Sequence, residues 1–320
     1  MDRSIDGGNQ YPIVSICCTT YNHARFIRQC MDGFLQQKTN FPIEVLIHDD
    51  ASTDGTQDVI REYEVRYPEI VKPIYQKENQ YSKGIKINLV YNYSRARGKY
   101  IALCEGDDYW TDPYKLQKQV DFLDSHPDYV MCSHKWNNYI ENENKTDYGI
   151  PLEVGWSGKV YNLDSLVNGE WYFQPLTVLF RRHAIDFKKY GLYKNSKDIT
   201  LFYVLLKTGK GFCLHDVMAT YRIHSGGIWS GVGLNCRRKQ DFITKIGIFE
   251  VEKSKEAATF ILYEFTKLIS RAWMLKQIKI FWIVSKIFFK HFGALFTLRL
   301  FFDKVLFNKV FVWKRSFNRL

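Results

Sequence analysis

The stretch YIALCEGDDYW, at residues 100–110, decides the fold of this chain. A short apolar run ends there in three carboxylates, Glu105, Asp107 and Asp108, with Gly106 after the first of them. Carboxylates grouped at the end of a buried strand repel one another and resist losing their water, so a positive charge is needed nearby. A divalent cation with oxygen ligands fits this position, and a polar turn before a helix is the structural alternative.

Short apolar runs alternate with helical patterns through the first hundred residues. Four runs predict strands: 13–19, 43–47, 71–75 and 99–104. Three segments predict helices: 25–37, 56–67 and 85–97. This alternation predicts an α/β fold with a central, mostly parallel sheet flanked by helices.

The pattern is mixed beyond residue 128. Strands are predicted at 128–134 and 176–180, and two short strands within 211–222. A polar loop is predicted at 141–158 and a helix at 198–206. With no repeat and no Pro- or Ser-rich linker, this half is expected to continue the first in one compact domain.

Polar side chains follow three of the predicted strands. Thr19, Tyr21 and Asn22 come after the first, Asp49 and Asp50 after the second, and the acidic cluster after the fourth. Ligands bind beyond the carboxyl ends of the strands in open sheets of this kind, so these groups should converge on one crevice. The glycine-rich dinucleotide fingerprint and the P-loop motif do not occur, so those sites lack their sequence signal.

Length, charge and cysteine content limit the class of protein. The 320 residues, 46% of them hydrophobic, suit one large domain with an appendage. The net charge of +11 lies mostly at the end, because residues 271–320 contain 11 Lys and Arg against the single Asp303. Residues 1–11 contain no apolar segment of the secretory type, and the 7 cysteines form no C-x-x-C pair. We therefore expect a cytoplasmic protein with reduced thiols, without a disulfide framework or a zinc site.

Four segments together resemble the family-2 inverting nucleotide-sugar glycosyltransferases of the GT-A fold. They are residues 14–22, 47–56, 98–113 and 197–224. The resemblance covers residues 12–233, and the EGDDYW version of the acidic motif is typical of bacterial surface-polysaccharide members. It implies a GT-A catalytic domain at residues 10–235.

The resemblance implies that a nucleotide lies at the ends of the first two strands. Tyr21 would lie against the base, with Thr19 and Asn22 in the same site. Asp50 would accept the N–H of uracil or a similar base, and Asp49 would lie near the ribose. The structural alternative for the two aspartates is a turn and helix cap.

The resemblance also implies a metal site. Asp107 would bind the Mn²⁺ or Mg²⁺ ion that bridges the donor diphosphate, and His224 would be a second ligand. Glu105 occupies a position where aspartate is usual, so ribose or metal-bound water is its expected contact. Gly106 and Asp108 belong to the same donor-binding loop, and Asp108 would orient it. A structural histidine is the alternative for His224.

Two basic residues and one loop would complete the donor site. Arg222 and Lys83 would contact phosphate oxygens, and solvated cations are the alternative. Residues 226–233, with Trp229, would close as a lid or form a plain glycine-rich connector. Five side chains are candidates to line a sugar pocket, with core packing as the alternative for at least half: His134, Trp136, Trp156, Trp171 and Gln174.

Asp198 matches the position of the family's catalytic base. Inversion needs one base, which takes the acceptor hydroxyl's proton as the oxygen attacks opposite the leaving group. Lys197 stands where the family has a second acidic residue, and a helix cap is the alternative for Asp198. The expected reaction moves a sugar from a nucleotide-sugar, a UDP-sugar by preference, to a hydroxyl of a lipid-linked glycan. A nucleotidyltransferase and a non-catalytic glycan-binding protein are the alternatives.

Residues 236–320 predict a basic, aromatic-rich helical region. On a helical wheel its lysines face one way: Lys276, Lys279, Lys286 and Lys290. Its phenylalanines face the other way: Phe281, Phe288, Phe289, Phe292 and Phe296. The uncharged stretches are too short to span a bilayer, so we expect peripheral binding to the anionic inner face of the cell membrane. Packing on the catalytic domain or a second subunit is the alternative, and nucleic-acid binding is not expected.

Overall fold

The computed structural model describes residues 11–148, 158–170, 173–227, 232–274, 282, 286, 289–290 and 292–294. The chain forms two compact units. The first comprises Met1–Leu166 with Glu170–Gly231, and the second comprises Val167–Gly169 with Val232–Leu320. The division at residue 231 lies a few residues before the predicted boundary at residue 235.

The first unit is built on a single sheet. Its strands are β1 (Val14–Thr20), β2 (Ile43–Asp49), β3 (Val71–Tyr75), β4 (Tyr100–Glu105), β5 (Tyr109–Trp110), β6 (Tyr129–Ile140), β7 (Lys145–Tyr148), β8 (Lys159–Tyr161), β9 (Leu179–Arg181) and β10 (Lys210–Ile223). The strand order is β3-β2-β1-β4-β9-β6-β10-β5, with β7 on β6 and β8 on β10. The pairs among β3, β2, β1 and β4 are parallel, whereas β9 is antiparallel to both β4 and β6. The predicted α/β class with a mostly parallel sheet is confirmed.

Helices flank this sheet. They are α1 (Ile27–Leu35), α2 (Thr56–Arg66), α3 (Lys115–Ser125), α4 (Leu163–Val167), α5 (Phe187–Leu192) and α6 (Asp198–Thr208). The apolar side of α1 is buried, including Ile27, Met31 and Phe34, and it joins the core formed by β1, β2 and β4. Burying such side chains contributes about 1.5–3 kcal/mol each, which is enough to fix these helices against the sheet.

The predicted helix at 85–97 is wrong in type and length, because the structure has a six-residue π-helix, Asn88–Tyr93. The buried Asn92 explains the wide turn. Its side-chain amide donates to the Cys18 carbonyl of β1 at 3.1 Å and to Asn88 Oδ1 at 2.9 Å. The Ser94 hydroxyl also bonds back to the Val90 carbonyl at 2.6 Å, which further competes with the ordinary helical pattern.

Three predicted strand or loop assignments also change. The two short strands predicted within 211–222 are one strand, β10, whose register against β6 shifts near Leu214 and Val217. The loop predicted at 141–158 contains strand β7, which forms a hairpin with β6 through Asn144 at φ 47°. The strand predicted at 176–180 begins later, because a 3₁₀ turn occupies Pro175–Thr177 before β9.

The second unit contains α7 (Leu234–Glu252) and α8 (Lys255–Met274). Phe242, Ile248, Phe260 and Ile261 are buried in it. The Phe249 and Phe292 rings lie 4.9 Å apart, while Trp282 is exposed. Most of the predicted lysine and phenylalanine faces after residue 274 lie outside the described residues. Within the described part, no helix combines the length and apolar content that a bilayer span requires.

Candidate functional site

The parallel register aligns the predicted site residues at one edge of the sheet. Thr19 of β1 is level with Glu105 of β4, and Thr20 is level with Asp49 of β2. Two backbone bonds join the loops that follow: Gly106 N donates to the Thr19 carbonyl at 2.9 Å, and Asp50 N to the Thr20 carbonyl at 3.0 Å. The three carboxyl ends that the sequence singled out therefore form one continuous edge.

The acidic loop at residues 105–108 is anchored by strand β10. Asp108 is buried, and its Oδ1 accepts the backbone N–H of Arg222 at 2.8 Å. Burial, and then the nearby Asp107 carboxylate, raise the pKa of Asp108 well above its usual value. Asp108 therefore ties the acidic loop to β10, and its orienting role in a donor site stays a prediction.

The guanidinium of Arg222 is engaged by the protein itself. Its Nε donates to the Asp107 carbonyl at 2.9 Å and its terminal nitrogen to Gln29 Oε1 at 2.6 Å. It also lies 4.7 Å from the centre of the Phe26 ring and 5.2 Å from that of Tyr109. The predicted contact of Arg222 with phosphate oxygens would require it to leave these partners.

Two histidines converge on the carboxylate of Asp107. His224 Nε2 lies within hydrogen-bonding distance of Asp107 Oδ2, at 3.1 Å, and His23 Nε2 lies 3.8 Å from the same oxygen. Burial alone would raise the pKa of Asp107, but the interactions with His224 and His23 outweigh it and lower the pKa. Burial lowers the pKa of His23 more than Asp107 raises it, which favours the neutral imidazole.

The residues at this position fit a divalent cation. Asp107 Oδ1 is buried and has no hydrogen-bond partner among the described residues, which is costly for a carboxylate oxygen unless a ligand satisfies it. Asp107 is also shared by two groups of possible metal ligands, one with His23 and His224 and one with Glu105 and Asp108. Asp108 already accepts from Arg222, so the histidine-containing group has the more available donor atoms.

The pKa of Glu105 is influenced by two aspartates. Glu105 is the exposed last residue of β4, and the protein packed around its carboxyl raises its pKa well above the usual value. Repulsion from Asp107 and then from Asp198 adds to this shift.

Asp198 is the first residue of α6, and the residue before it, Lys197, occupies the capping position. Asp198 is therefore not the capping residue itself, although its carboxylate in the first turn of α6 complements the helix dipole. The residue is open to solvent on one side, yet the protein around its carboxyl raises the pKa of Asp198 to about 6, with Lys197 opposing the shift. A carboxyl with this pKa is ionised at neutral pH and can still accept a proton readily.

The loops after β1 and β2 are joined by side-chain bonds. Asn22 has φ 56°, and its Oδ1 accepts the Thr53 N–H at 2.9 Å, while its own N–H donates to Ser52 Oγ at 2.8 Å. Asp54 Oδ2 accepts the Ala24 N–H at 2.9 Å. Asn22 therefore holds the two loops together, and Tyr21 beside it projects into solvent with 46% of its surface exposed.

The two aspartates after β2 organise the backbone around them. Asp49 Oδ1 accepts from Ser52 N at 3.0 Å and from Gln57 Nε2 at 2.6 Å, and its Oδ2 is buried with no partner in the part of the chain that the structure describes. The Asp50 carboxylate accepts the N–H of Gln80 at 2.8 Å and of Tyr81 at 3.0 Å. The turn role left open by the sequence is therefore present, and the predicted base and ribose contacts remain predictions.

Lys83 lies in the 3₁₀ turn Tyr81–Lys83 that Asp50 organises. Its ammonium group is exposed and forms an ion pair with Glu78. Because an exposed ion pair is weak, this pair would not prevent Lys83 from reaching a phosphate, and its predicted role stays a prediction.

The residues predicted to line a sugar pocket do not all occupy the same kind of position in the structure. His134 and Trp136 are buried, so the core alternative holds for both, and they do not line a sugar pocket. Gln174 is half-buried beside the turn that precedes β9. Trp156 and Trp171, and Trp229 of the predicted lid, lie outside the described residues.

His23 is the site residue that the sequence reasoning missed. Its Nδ1 lies 3.2 Å from Thr20 Oγ1, and its backbone N–H donates to Thr56 Oγ1 at 2.8 Å. The available signal was its position directly after Thr19, Tyr21 and Asn22, at the same carboxyl end. Residue order alone does not show that its ring turns toward residue 107.

Comparison with known proteins agrees with this geometry. The profile of the family described as Glycosyl transferase family 2 matches residues 15–188, more than half of the chain. The chain belongs to glycosyl transferase family 2. The resemblance predicted from the four segments is thereby confirmed.

Several curated proteins are similar to this family-2 chain. An uncharacterized protein of Mycobacterium tuberculosis is 39% identical over 216 residues, which are 68% of this chain and 60% of that protein. The chain thus spans less than two thirds of that relative. The UDP-Glc:α-D-GlcNAc-diphosphoundecaprenol β-1,3-glucosyltransferase of Escherichia coli is 26% identical over 239 residues, 74% of this chain and 87% of that protein.

Solved structures show the same fold. TarS of S. aureus in complex with UDP-GlcNAc has a TM-score of 0.58 at 18% identity, covering 80% of this chain and 72% of that one. The mannosyltransferase PcManGT from Pyrobaculum calidifontis, in complex with GDP-Man and Mn²⁺, has a TM-score of 0.55 at 16% identity. It covers 93% of this chain and 81% of its own. The GT-A fold of this family-2 member is therefore established.

Proposed function

We propose that this chain is a metal-dependent inverting glycosyltransferase. It moves a sugar from a nucleotide-sugar, a UDP-sugar by preference, to a hydroxyl of a lipid-linked glycan during synthesis of a surface polysaccharide. The observation that carries the proposal is the Asp107 carboxylate just beyond the end of β4, with His224 Nε2 3.1 Å away and Glu105, whose pKa both Asp107 and Asp198 raise, in the same loop. A metal-type carboxylate and a base of suitable pKa in one site are what such a transfer requires.

In this proposal the loops after β1 and β2 hold the nucleotide. Tyr21 lies against the base, because its ring is exposed at the strand end and an aromatic face accepts any base. Asp50 is the group that reads the base edge. Each of its oxygens accepts one backbone N–H, and a carboxylate oxygen has a second lone pair for the base.

Asp107, with His224 beside it, would hold the cation, and Mn²⁺ and Mg²⁺ are both candidates. When bound, the cation stabilises the negative charge that develops as the nucleoside diphosphate leaves. Asp108 and Arg222 keep the loop at residues 105–108 in place, so Asp107 retains its position while charge shifts in the site.

Asp198 is the proposed base. Its carboxylate takes the proton of the acceptor hydroxyl as that oxygen attacks the anomeric carbon, and one such base is sufficient for inversion. The raised pKa of Asp198, about 6, brings its basicity nearer to neutral pH, where general bases are most effective.

The acceptor assignment is supported by a relative and by the charge of the chain. The Escherichia coli relative is named for transfer to GlcNAc-diphosphoundecaprenol, which is a lipid-linked saccharide. We propose that residues 236–320, whose last fifty residues carry 11 Lys and Arg, bind an anionic membrane surface where such acceptors reside.

A panel of UDP- and GDP-sugars tests the proposal. The full chain is incubated with each sugar, Mn²⁺ or Mg²⁺ and a lipid-linked saccharide, and both nucleotide release and glycan mass are measured. Release of UDP with a matching gain of one sugar on the acceptor is expected. Pyrophosphate release would instead support a nucleotidyltransferase, and absence of both turnover and metal-dependent nucleotide binding would support a glycan-binding protein.

Two substitutions locate the chemistry. Asp198→Asn should lower kcat by about 10²–10⁴-fold, because the amide cannot accept the proton. The control Asp58→Asn makes the same chemical change in the first turn of α2, where Asp58 is exposed, and should leave transfer unchanged. Full activity of Asp198→Asn would contradict the assignment of the base.

A further inference from the structure

We infer that His23 is a direct ligand of the cation, so that His23, Asp107 and His224 form a two-histidine, one-carboxylate site. The inference rests on the proposed function, since it names the metal preference of the same site. Such a site selects a transition-metal dication such as Mn²⁺ over Mg²⁺. It adds a second imidazole nitrogen to the Asp107 and His224 ligands of the proposed function.

The distances between the donor atoms support this set. His224 Nε2 and His23 Nε2 lie 3.1 Å and 3.8 Å from Asp107 Oδ2. Two ligand atoms each about 2.2 Å from one ion lie about 3.1 Å apart at an angle of 90° and about 3.8 Å apart at 120°. The one ligand atom that each of the three residues offers lies within 4.8 Å of the other two, so all three can reach one ion.

The ring of His23 is oriented by a contact with Thr20. Its Nδ1 lies 3.2 Å from Thr20 Oγ1, which leaves Nε2 directed at Asp107. Histidines that bind metals are commonly held in this way, with the second ring nitrogen bonded to a neighbouring group that fixes the tautomer. The backbone of His23 is held separately by Thr56, so the residue is fixed at two points.

His224 is held by packing. Its side chain is buried, and its ring centre lies 4.7 Å from that of Phe26. Asp107 Oδ1, for which the described part of the chain supplies no hydrogen-bond partner, is a further oxygen donor. Two fixed imidazoles and one carboxylate are therefore arranged before any ion arrives.

The chemistry of the metal-binding atoms determines which cation the site prefers. Mg²⁺ strongly favours oxygen ligands and releases water reluctantly, whereas transition-metal dications accept imidazole nitrogen readily. Two imidazoles beside one carboxylate thus lower the affinity of the site for Mg²⁺ relative to Mn²⁺. If instead only Asp107 and Glu105 bound the ion, no such discrimination would be expected.

Electron paramagnetic resonance of Mn²⁺ bound to the full chain tests the inference, first with Mn²⁺ alone and then with Mn²⁺ and UDP. In protein labelled with ¹⁵N-histidine, we expect hyperfine coupling from two histidine nitrogens. Coupling from one nitrogen or none, in both conditions, would overturn the inference. This measurement needs no substitution and no transfer activity.

Substitution provides a second readout. His23→Gln should remove one of the two couplings and weaken Mn²⁺ binding by at least about tenfold, while His23→Asp should shift the preference toward Mg²⁺ in competition titrations. The control His183→Gln changes an exposed histidine beside the amino end of β4 and should alter neither value. Unchanged binding and selectivity in His23→Gln and His23→Asp would contradict the inference.

The two proposals fail separately. Two nitrogen couplings without transfer from any nucleotide-sugar would retain this site and reject the proposed function. Sugar transfer with one coupling or none would retain the function and reject His23 as a ligand.

Discussion

Gly106 packs so closely against Thr20 that a β-carbon at residue 106 would lie 2.5 Å from Thr20 Oγ1 and 2.7 Å from Thr20 Cβ. The same β-carbon would lie 3.1 Å from His23 Nδ1. The absence of a side chain at residue 106 therefore lets the acidic loop and the loop after β1 meet. This contact brings His23 beside Asp107.

Gly106→Ala should separate these two loops. Thr20 is buried and has little room to move, so we expect a loss of about 1–3 kcal/mol in the free energy of unfolding. Mn²⁺ binding should weaken as well, because His23 moves with Thr20. Chemical denaturation and Mn²⁺ titration of the full chain measure the two effects.

Gly233→Ala is the matched control for this prediction. A β-carbon at Gly233 would meet no atom within 4 Å, and its φ of −59° suits any residue. Gly233→Ala should change neither the free energy of unfolding nor the affinity for Mn²⁺. Equal stability and metal affinity in Gly106→Ala would show that the two loops are not held by this contact.

Tyr21→Ala should weaken UDP binding by about 5–150-fold. This range corresponds to about 1–3 kcal/mol for the loss of one aromatic ring from a base. Isothermal titration with UDP in the presence of Mn²⁺ gives the affinity. Tyr114→Ala is the control, since Tyr114 is exposed to a similar degree, 48% against 46%. Equal affinities for the two variants would remove Tyr21 from the nucleotide site.

The rate of transfer should fall on the acid side with an apparent pKa of about 6. The direction of this pH dependence follows from the role of Asp198. Only its ionised form accepts a proton, and the folded protein raises its pKa to about 6. The activity is therefore expected to be high above this value and to fall about tenfold for each pH unit below it. The dependence of kcat on pH, measured at saturating donor and metal, provides the check, and a flat profile between pH 5 and 8 would contradict it.

Lys245→Met should destabilise the second unit. Lys245 Nζ donates to Glu264 Oε2 at 2.7 Å, and both side chains are buried. Removing the lysine leaves a buried carboxylate without its cation, which costs about 3–5 kcal/mol. Scanning calorimetry of the full chain measures the loss. The double variant Lys245→Met with Glu264→Met should recover much of the lost stability, because neither charge of this pair remains buried.

The order of strands and helices was predictable because it depends on local patterns. Runs such as residues 13–19 and 99–104 coincide with strands that are buried over most of their length, and their apolar composition reveals this without any tertiary information. The position of Asp107 at a carboxyl end follows from the same reasoning. The π-helix at Asn88–Tyr93 was not predictable, since its cause is the bond from Asn92 to Cys18, a residue 74 positions away.

Other site contacts also depended on distant partners. Arg222 was predicted to contact phosphate. In the structure it lies on the irregular strand β10 next to the acidic loop, where its side chain donates to the Asp107 carbonyl and to Gln29. His134 was a candidate for sugar contact because aromatic rings stack on sugars. Its burial depends on how β6 sits between β9 and β10, which a single strand's sequence does not reveal.

By itself, the sequence determined the α/β class, the carboxylates at the strand ends and the exposed aromatic residue beside them. Hydrophobic periodicity is a local property, and parallel strands bring their carboxyl ends to one edge whatever the remaining contacts are. Only the tertiary structure decided that His23 faces Asp107 and that Asp107 and Asp198 both raise the pKa of Glu105. These pairings are set by strand register, by the close approach at Gly106 and by the start of α6, all of which join residues far apart in the chain.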